Sequence, residues 1–403
     1  MNRRALLILC LIVAVDTGSF GLLAPVLPFL VAKLTGSLNA ITVTQVTALY
    51  AGCQLVGAPL IGRASDRYGR KPLMAASIGV GSLALLGSGF SPSLALLMLF
   101  QAIKGGSAAV FALAQAMVAD RNETPQARTV SFGALGAALG MGFVFGPALG
   151  GLIGSFNPRA PFLVAAVLTL INLVLVLRFL PETQAAFGTE SEAQTAPLRQ
   201  PLRWWSRESA ELRTMLLVYF LFYLGFSSFT GIFVVDARLR FDWGPQASGL
   251  LLCFVGVIAA VVQGGLLPRL LRLYPARRLA ELGLILVAVA LMGVSAIREG
   301  HWLYLTQLFF ATGVGLSTPG LRTLLSTAVD ESQQGLLGGI TQSCVSLTSL
   351  LGPLAAGRLY NDAGYSLTFH LQAAVVFAAA ALLIVTKSRA RPIQFQPTNT
   401  PSP

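Results

Sequence analysis

"GRASDRYGRKP", residues 62–72, sets Arg63, Arg67, Arg70 and Lys71 and one acid, Asp66, between two long apolar runs. The whole chain is 55% hydrophobic and only 11% charged over 403 residues. A soluble protein of that length carries roughly a quarter charged residues. A charged knot in so greasy a chain reads as a polar turn joining two membrane-crossing segments.

Outward from that turn, apolar runs of about 20 residues recur, the length a helix needs to cross a bilayer core. Twelve are read, at 5–31, 44–64, 71–91, 93–119, 129–155, 159–180, 213–235, 245–271, 278–297, 302–326, 335–360 and 366–387. The start, "MNRRALLILCLIVAV", has the form of a signal peptide. Asp16 interrupts it, no small-x-small site follows, and further runs come after, so it is read as span 1. The expected fold is an all-α membrane protein of twelve transmembrane helices in two pseudo-symmetric six-helix bundles.

Lys and Arg set the orientation. With the N-terminus in the cytoplasm, the outer loops hold only Lys33, Arg159, Arg238, Arg240, Arg298 and Arg358, and Lys104 and Arg322 fall within spans. The rest of the 28 cations lie inside, which predicts two cytoplasmic termini. The net charge of +12 is thus spread over cytoplasmic loops, where it meets membrane lipid rather than nucleic acid. Cys10, Cys53, Cys253 and Cys344 each sit alone in an apolar run and read as buried structural thiols. No metal-ligand cluster, nucleotide loop or nucleophile constellation is found, so no cofactor, metal or enzymatic activity is expected.

The one long polar segment divides the chain into residues 1–180, a linker 181–211, and 212–403. Within the linker, "LRWWSRE" reads as a short interfacial helix with Trp204 and Trp205 at the head groups. The halves repeat. A shift of 206 residues lays Gly133 on Gly339, Gly146 on Gly352, Pro147 on Pro353 and Gly151 on Gly357.

Four stretches carry a resemblance to the major facilitator superfamily, in its twelve-span drug:proton antiporter branch, which includes the tetracycline exporters. They are "DTGSFGLLAPVLP" (16–28), "GRASDRYGRKP" (62–72), "VAD" (118–120) with Arg128, and "GMGFVFGPALGG" (140–151). The resemblance implies two six-helix halves rocking about a midplane site. It implies proton-coupled efflux of a small amphipathic organic compound by a monomeric carrier in a prokaryotic inner membrane. Import or uniport of a nutrient stands as the alternative.

The resemblance also assigns roles. Gly62, Asp66, Arg67, Gly69, Arg70 and Lys71 form a cytoplasmic gate with Asp120 and Arg128. In it Asp66 meets the end of span 11 at its helix N-terminus, Arg70 pairs with Asp120, and the charges latch the halves until the cytoplasmic side opens. In span 5, Gly142, Gly146, Pro147, Gly150 and Gly151 form the antiporter motif. They leave a bare flank for a bend and a tight seam against the other half.

The intramembrane charges point to the chemistry. Asp16 alone of the 16 acids lies deep in a span. A central ionised Asp costs about 2.5–3.5 kcal/mol on insertion scales and faces water or a partner. It is the expected proton-coupling acid, with Lys104 on span 4 as its counter-ion. The family carries an Arg on span 4 where this chain has Gln101, and Lys104 stands one turn on, at i+3. Three roles stand for Lys104: the shifted coupling cation, a neutraliser of Asp16, or a holder of an anionic substrate. The cavity lining is read from helix faces as Ser19, Phe20, Tyr50, Gln54, Phe111, Gln115, Tyr219, Tyr223 and Phe226. Tetracycline exporters carry acids within spans 3 and 9. "GVGSLALLG" (79–87) and "GLILVAVALMG" (283–293) have none, so a tetracycline–metal cargo is not expected.

Overall fold

A computed structural model describes residues 3–121, 124–182, 207–329 and 333–386. Every regular element among them is helical. In chain order they are α1 (Arg3–Leu23), α2 (Leu27–Thr35), α3 (Ala40–Tyr68), α4 (Arg70–Phe90), α5 (Leu94–Gly106), α6 (Val110–Arg121) and α7 (Pro125–Phe156). There follow α8 (Ala160–Phe179), α9 (Arg207–Phe241), α10 (Pro245–Val261), α11 (Leu267–Leu273), α12 (Ala276–Ala296), α13 (Leu303–Thr327) and α14 (Gln334–Val385). Linker residues 183–206, with Trp204 and Trp205, lie outside the described residues.

These helices cover all twelve apolar runs. Nine of the described segments are long and apolar enough to cross a membrane, and Leu336–Val385 among them is bent at Gly364 (φ 80°) into two such lengths. The runs read as single spans are less regular than expected, for local reasons. Span 1 breaks between α1 and α2, where Pro25 has no N–H to give and Pro28 opens the next helix. Span 4 breaks at Ser107–Ala109. There Gly105 presses on α3 so closely that a Cβ would overlap the Tyr50 carbonyl, and backbone contact takes the place of side-chain packing. Span 8 passes through a π-helical stretch, Val262–Leu266, just before Pro268 removes a donor.

The turn at 62–72 depends on Gly69. Its φ of 96° suits glycine, and it ends α3 and starts α4 without a side-chain cap of its own. The missing cap comes from Glu182, beyond α8. Its carboxylate accepts from the backbone N–H groups of Arg70 and Lys71, both at 3.2 Å, where the helix N-terminus favours an anion.

The internal repeat becomes two matching seams. Gly151 of α7 meets α10, where an added Cβ would lie 2.9 Å from the Gly249 Cα and against the Pro245 carbonyl. Its repeat mate Gly357 of α14 meets α3 at Ala40 and Thr44. Ala40 and Thr44 stand about 205 residues before Pro245 and Gly249, so the two contacts are the same contact made twice. Gly146 likewise meets Gly18 and Gly21 of α1, and Gly352 meets Ser227 and Ser228 of α9.

Both seams lie on the side away from the chain termini. A Cβ added at Gly62, Gly133, Gly136, Gly140, Gly264, Gly265, Gly338 or Gly339 would meet nothing within 4 Å among the described residues. Among the described residues, the glycine contacts between the two halves thus gather on the side away from the termini.

The antiporter stretch divides its contacts in this light. α7 is a single helix with Pro147 inside it. Gly142, Gly146 and Gly150 face α1 of their own half, and it is Gly151 that meets the other half. Helical spacing explains the split: Gly142, Gly146 and Gly150 are four residues apart and share a face, while Gly151 is turned by 100°.

Candidate functional site

Asp16 and Lys104 meet. The Lys104 Nζ lies 3.9 Å from the Asp16 Oδ1, with Lys104 9% and Asp16 23% exposed at the side chain. α1 is held in place one turn earlier, where buried Asn172 of α8 donates to the Ile12 carbonyl at 3.0 Å. The Lys104 arm lies along α4 at Gly81, where an added Cβ would sit 3.0 Å from Nζ. The acid-free stretch at 79–87 thus makes room for a cation. The distance marks a charge pair rather than a tight hydrogen bond, and the Asp16 Oδ1 has no hydrogen-bond partner among the described residues. A carboxyl held this way keeps its partner near while one oxygen stays free for a proton. Gln101 is buried one turn away.

Around the pair, Phe20 packs on Tyr50 with ring centroids 5.5 Å apart and edge-on to Phe143 at 6.4 Å. Gln54 donates weakly to the Ala108 carbonyl at 3.5 Å. In the second half Tyr219, Tyr223 and Phe226 form a row, with Tyr219 and Tyr223 4.6 Å apart. Gln115 is exposed and Phe111 half-buried. Two expected lining residues are corrected. Ser19 is 1% exposed and gives its hydroxyl to the Val15 carbonyl of its own helix, and the Tyr219 residue is also 1% exposed. The face of a helix is visible in sequence, but which neighbour covers it is not. The cysteines are half-buried rather than buried.

At the charged turn, Arg70 reaches Asp120 at 3.0 Å, Asp66 at 2.6 Å and the Ser65 hydroxyl at 2.6 Å. Lys71 donates to the Leu177 carbonyl, Arg121 to that of Glu182, and Arg67 lies over the Tyr68 ring. Arg128 is exposed at the start of α7. These contacts brace the turn against α6 and α8 within the first half.

The sequence also hid a second buried charge. Asp236 was placed at the end of span 7, but α9 continues to Phe241 and Asp236 is fully buried. Its carboxylate accepts from Arg240 at 3.3 Å and from the Tyr360 hydroxyl at 2.9 Å. Arg240 also donates to the carbonyls of Val294 and Ile297 and lies 4.0 Å from the Tyr365 ring centroid. This network ties α9, α12 and α14 together beside the closed seam. The i,i+4 spacing of Asp236 and Arg240 was the available signal. Breaking a buried pair costs about 3–5 kcal/mol. Asp236→Ala is therefore expected to lower the thermal midpoint of the purified protein sharply, and Asp236→Ala with Arg240→Leu to recover part of the loss. An unchanged midpoint in the single variant would show the network carries no stability.

Two pseudo-symmetric helical halves, sealed by matching glycine seams and holding a buried charge pair, define a secondary transporter of the membrane. The chain matches the Major Facilitator Superfamily profile over residues 9–347 and 215–401, and it belongs to that family. It is 31% identical over 406 residues to the tetracycline resistance protein, class H, of Pasteurella multocida, covering 96% of each chain. It is 28% identical to multidrug resistance protein 2 of Bacillus subtilis (strain 168), covering 92% of each. In fold it is similar to the human organic anion transporter MFSD10 (TETRAN), with a TM-score of 0.71 at 24% identity, covering 94% of this chain and 99% of that one. That likeness speaks to fold alone.

Proposed function

We propose that the protein exports a small amphipathic organic compound across a prokaryotic inner membrane in exchange for protons. Both termini are cytoplasmic in this reading, and cargo is loaded from the side they lie on. The observation that carries it is the Asp16–Lys104 pair, which joins spans 1 and 4 beside an aromatic lining. A carboxyl in such a place takes a proton from one side of the membrane and gives it up on the other as the halves rock. When Asp16 is neutral, Lys104 loses its counter-charge. When Asp16 is ionised, the pair reforms, so the site has two electrostatic states to couple with two conformations. Drug-resistance relatives covering nearly the whole chain support the direction as export.

The test is uptake into inverted membrane vesicles with an imposed pH gradient, over a panel of amphipathic compounds. At least one compound is expected to accumulate several-fold and to leak back when an ionophore collapses the gradient. Equilibration that ignores the gradient would instead favour the uniporter reading.

A further inference from the structure

At the shift of 206 the turn at 62–72 falls, position for position, on "PRLLRLYPARR", residues 268–278. Arg63 lands on Arg269, Tyr68 on Tyr274 and Lys71 on Arg277, but Asp66 lands on Arg272 and Arg70 on Ala276. The second turn therefore lacks both the acid and the arginine at the centre of the first. It holds four cations and no acid.

The two turns occupy like places. α11 ends at Leu273 and α12 begins at Ala276, between two membrane-length segments, Pro245–Leu273 and Ala276–Ala296. An even number of spans precedes the turn, so it lies on the membrane face that holds the N-terminus. In the first turn the charges are satisfied within the fold. Arg70 meets Asp66 and Asp120, and the Glu182 carboxylate caps α4. In the second turn Arg277 is used in the same way. It pairs with Glu281 at 3.0 Å and donates to the Leu383 and Thr386 carbonyls at the end of α14. Arg269, Arg272 and Arg278 are exposed, and among the described residues none of them has an acid within ion-pair distance. Nor does an acid take the place of Glu182, because α12 starts after Pro275 with no side-chain cap.

Among these cations stand Leu271, Leu273 and Tyr274, which are 47%, 73% and 47% exposed. Arg269 and Arg272 are three residues apart on α11 and share a face, and Arg278 follows in the first turn of α12. A soluble anion would need the cations alone. Cations interleaved with bare apolar side chains, at the ends of two membrane helices, fit a ligand with an anionic head and a hydrocarbon body. Guanidinium meets phosphate through parallel N–H donors, and a tyrosine ring sits well at head-group level. We propose that this turn is a docking site for an anionic phospholipid, with the phosphate held by Arg269, Arg272 and Arg278 and the chains against Leu271, Leu273 and Tyr274. The first half thus supplies its own anions to its turn, and the second takes them from the membrane.

The test uses the purified full chain in detergent, titrated with short-chain phosphatidylglycerol, with phosphatidylcholine of the same chains, and with glycerol phosphate as the free head-group anion. Native mass spectrometry counts what is bound. Phosphatidylglycerol is expected to bind at least about tenfold more tightly than either comparison, since each Arg near an anionic head is worth about fivefold. Arg269→Gln, Arg272→Gln and Arg278→Gln should each lose about fivefold, and together about 100-fold. Lys at the same places should keep most of the binding. Leu271→Ser with Leu273→Ser should weaken both lipids alike and leave glycerol phosphate unchanged. Arg178→Gln with Arg213→Gln removes exposed cations at the ends of other spans on the same face and should change nothing. Equal binding of the two lipids would overturn the proposal. So would glycerol phosphate binding as tightly as phosphatidylglycerol, or an equal loss from the Arg178 and Arg213 variant. Should the triple variant not fold, the single variants decide it by the same ratios. Binding is read here without transport, so the result stands apart from the exporter reading.

Discussion

Asp16→Asn is expected to abolish proton-driven accumulation, by about 100-fold or more, while leaving cargo able to equilibrate across the membrane. Asn fills the same volume but takes up no proton in the physiological range, so the two electrostatic states of the site collapse to one. The lost term is the coupling and not the pathway. Counterflow, which needs only binding and rocking, separates the two. The same variant leaves Lys104 without a counter-charge in a poorly solvated place, which is costly for the fold as well. Asp16→Asn with Lys104→Gln should then be no less stable than Asp16→Asn alone. Losses that simply add would show that the 3.9 Å contact carries no interaction energy. A coupled variant that still concentrates cargo against a gradient would remove Asp16 from the mechanism.

The second large effect belongs to Gly151. A Cβ there would run into backbone, the Pro245 carbonyl and the Gly249 Cα, neither of which can swing aside. Overpacking of this kind costs about 1–3 kcal/mol, and it acts only on the conformation in which the far-side seam is shut. Gly151→Val should therefore shift the population toward the far-side-open form by about 5- to 150-fold and slow turnover by more than tenfold. Spin labels placed across the seam should read a longer distance. Gly140→Val is the control with opposite sign. Its Cβ meets nothing in the present conformation, so it should leave the seam distance unchanged and obstruct closure of the terminal side. If both variants move the distance the same way, the rocking of two rigid halves is the wrong description.

How much of this could be read beforehand depends on the kind of feature. The twelve apolar runs were visible because each helix must satisfy its own backbone and show lipid an apolar face. The breaks were not: 5–31 was read as one span, although Pro25 and Pro28 were the available signal for its interruption. The interruption at Ser107–Ala109 comes from Gly105 pressing on the Tyr50 backbone, a contact between helices far apart in sequence. Asp16 and Lys104 were legible as an intramembrane pair because charge in hydrocarbon has few places to go. Asp236 escaped because its span was ended a turn too soon, and Glu182 because a cap supplied by a residue beyond α8, far off in sequence, leaves no local spacing to detect.

The bare amino-acid order determined that this chain lives in a membrane, that it is built twice over, and that one acid and one amine must find each other inside it. Those conclusions rest on terms that act residue by residue: transfer free energy, helix periodicity and the cost of an isolated charge. The tertiary structure alone decided where the two halves meet, and which glycines seal a seam and which merely seat a neighbour. Those depend on the relative placement of rigid bundles. The free-energy difference between their two arrangements is a small remainder of many contacts, spread too widely for any short stretch of sequence to carry.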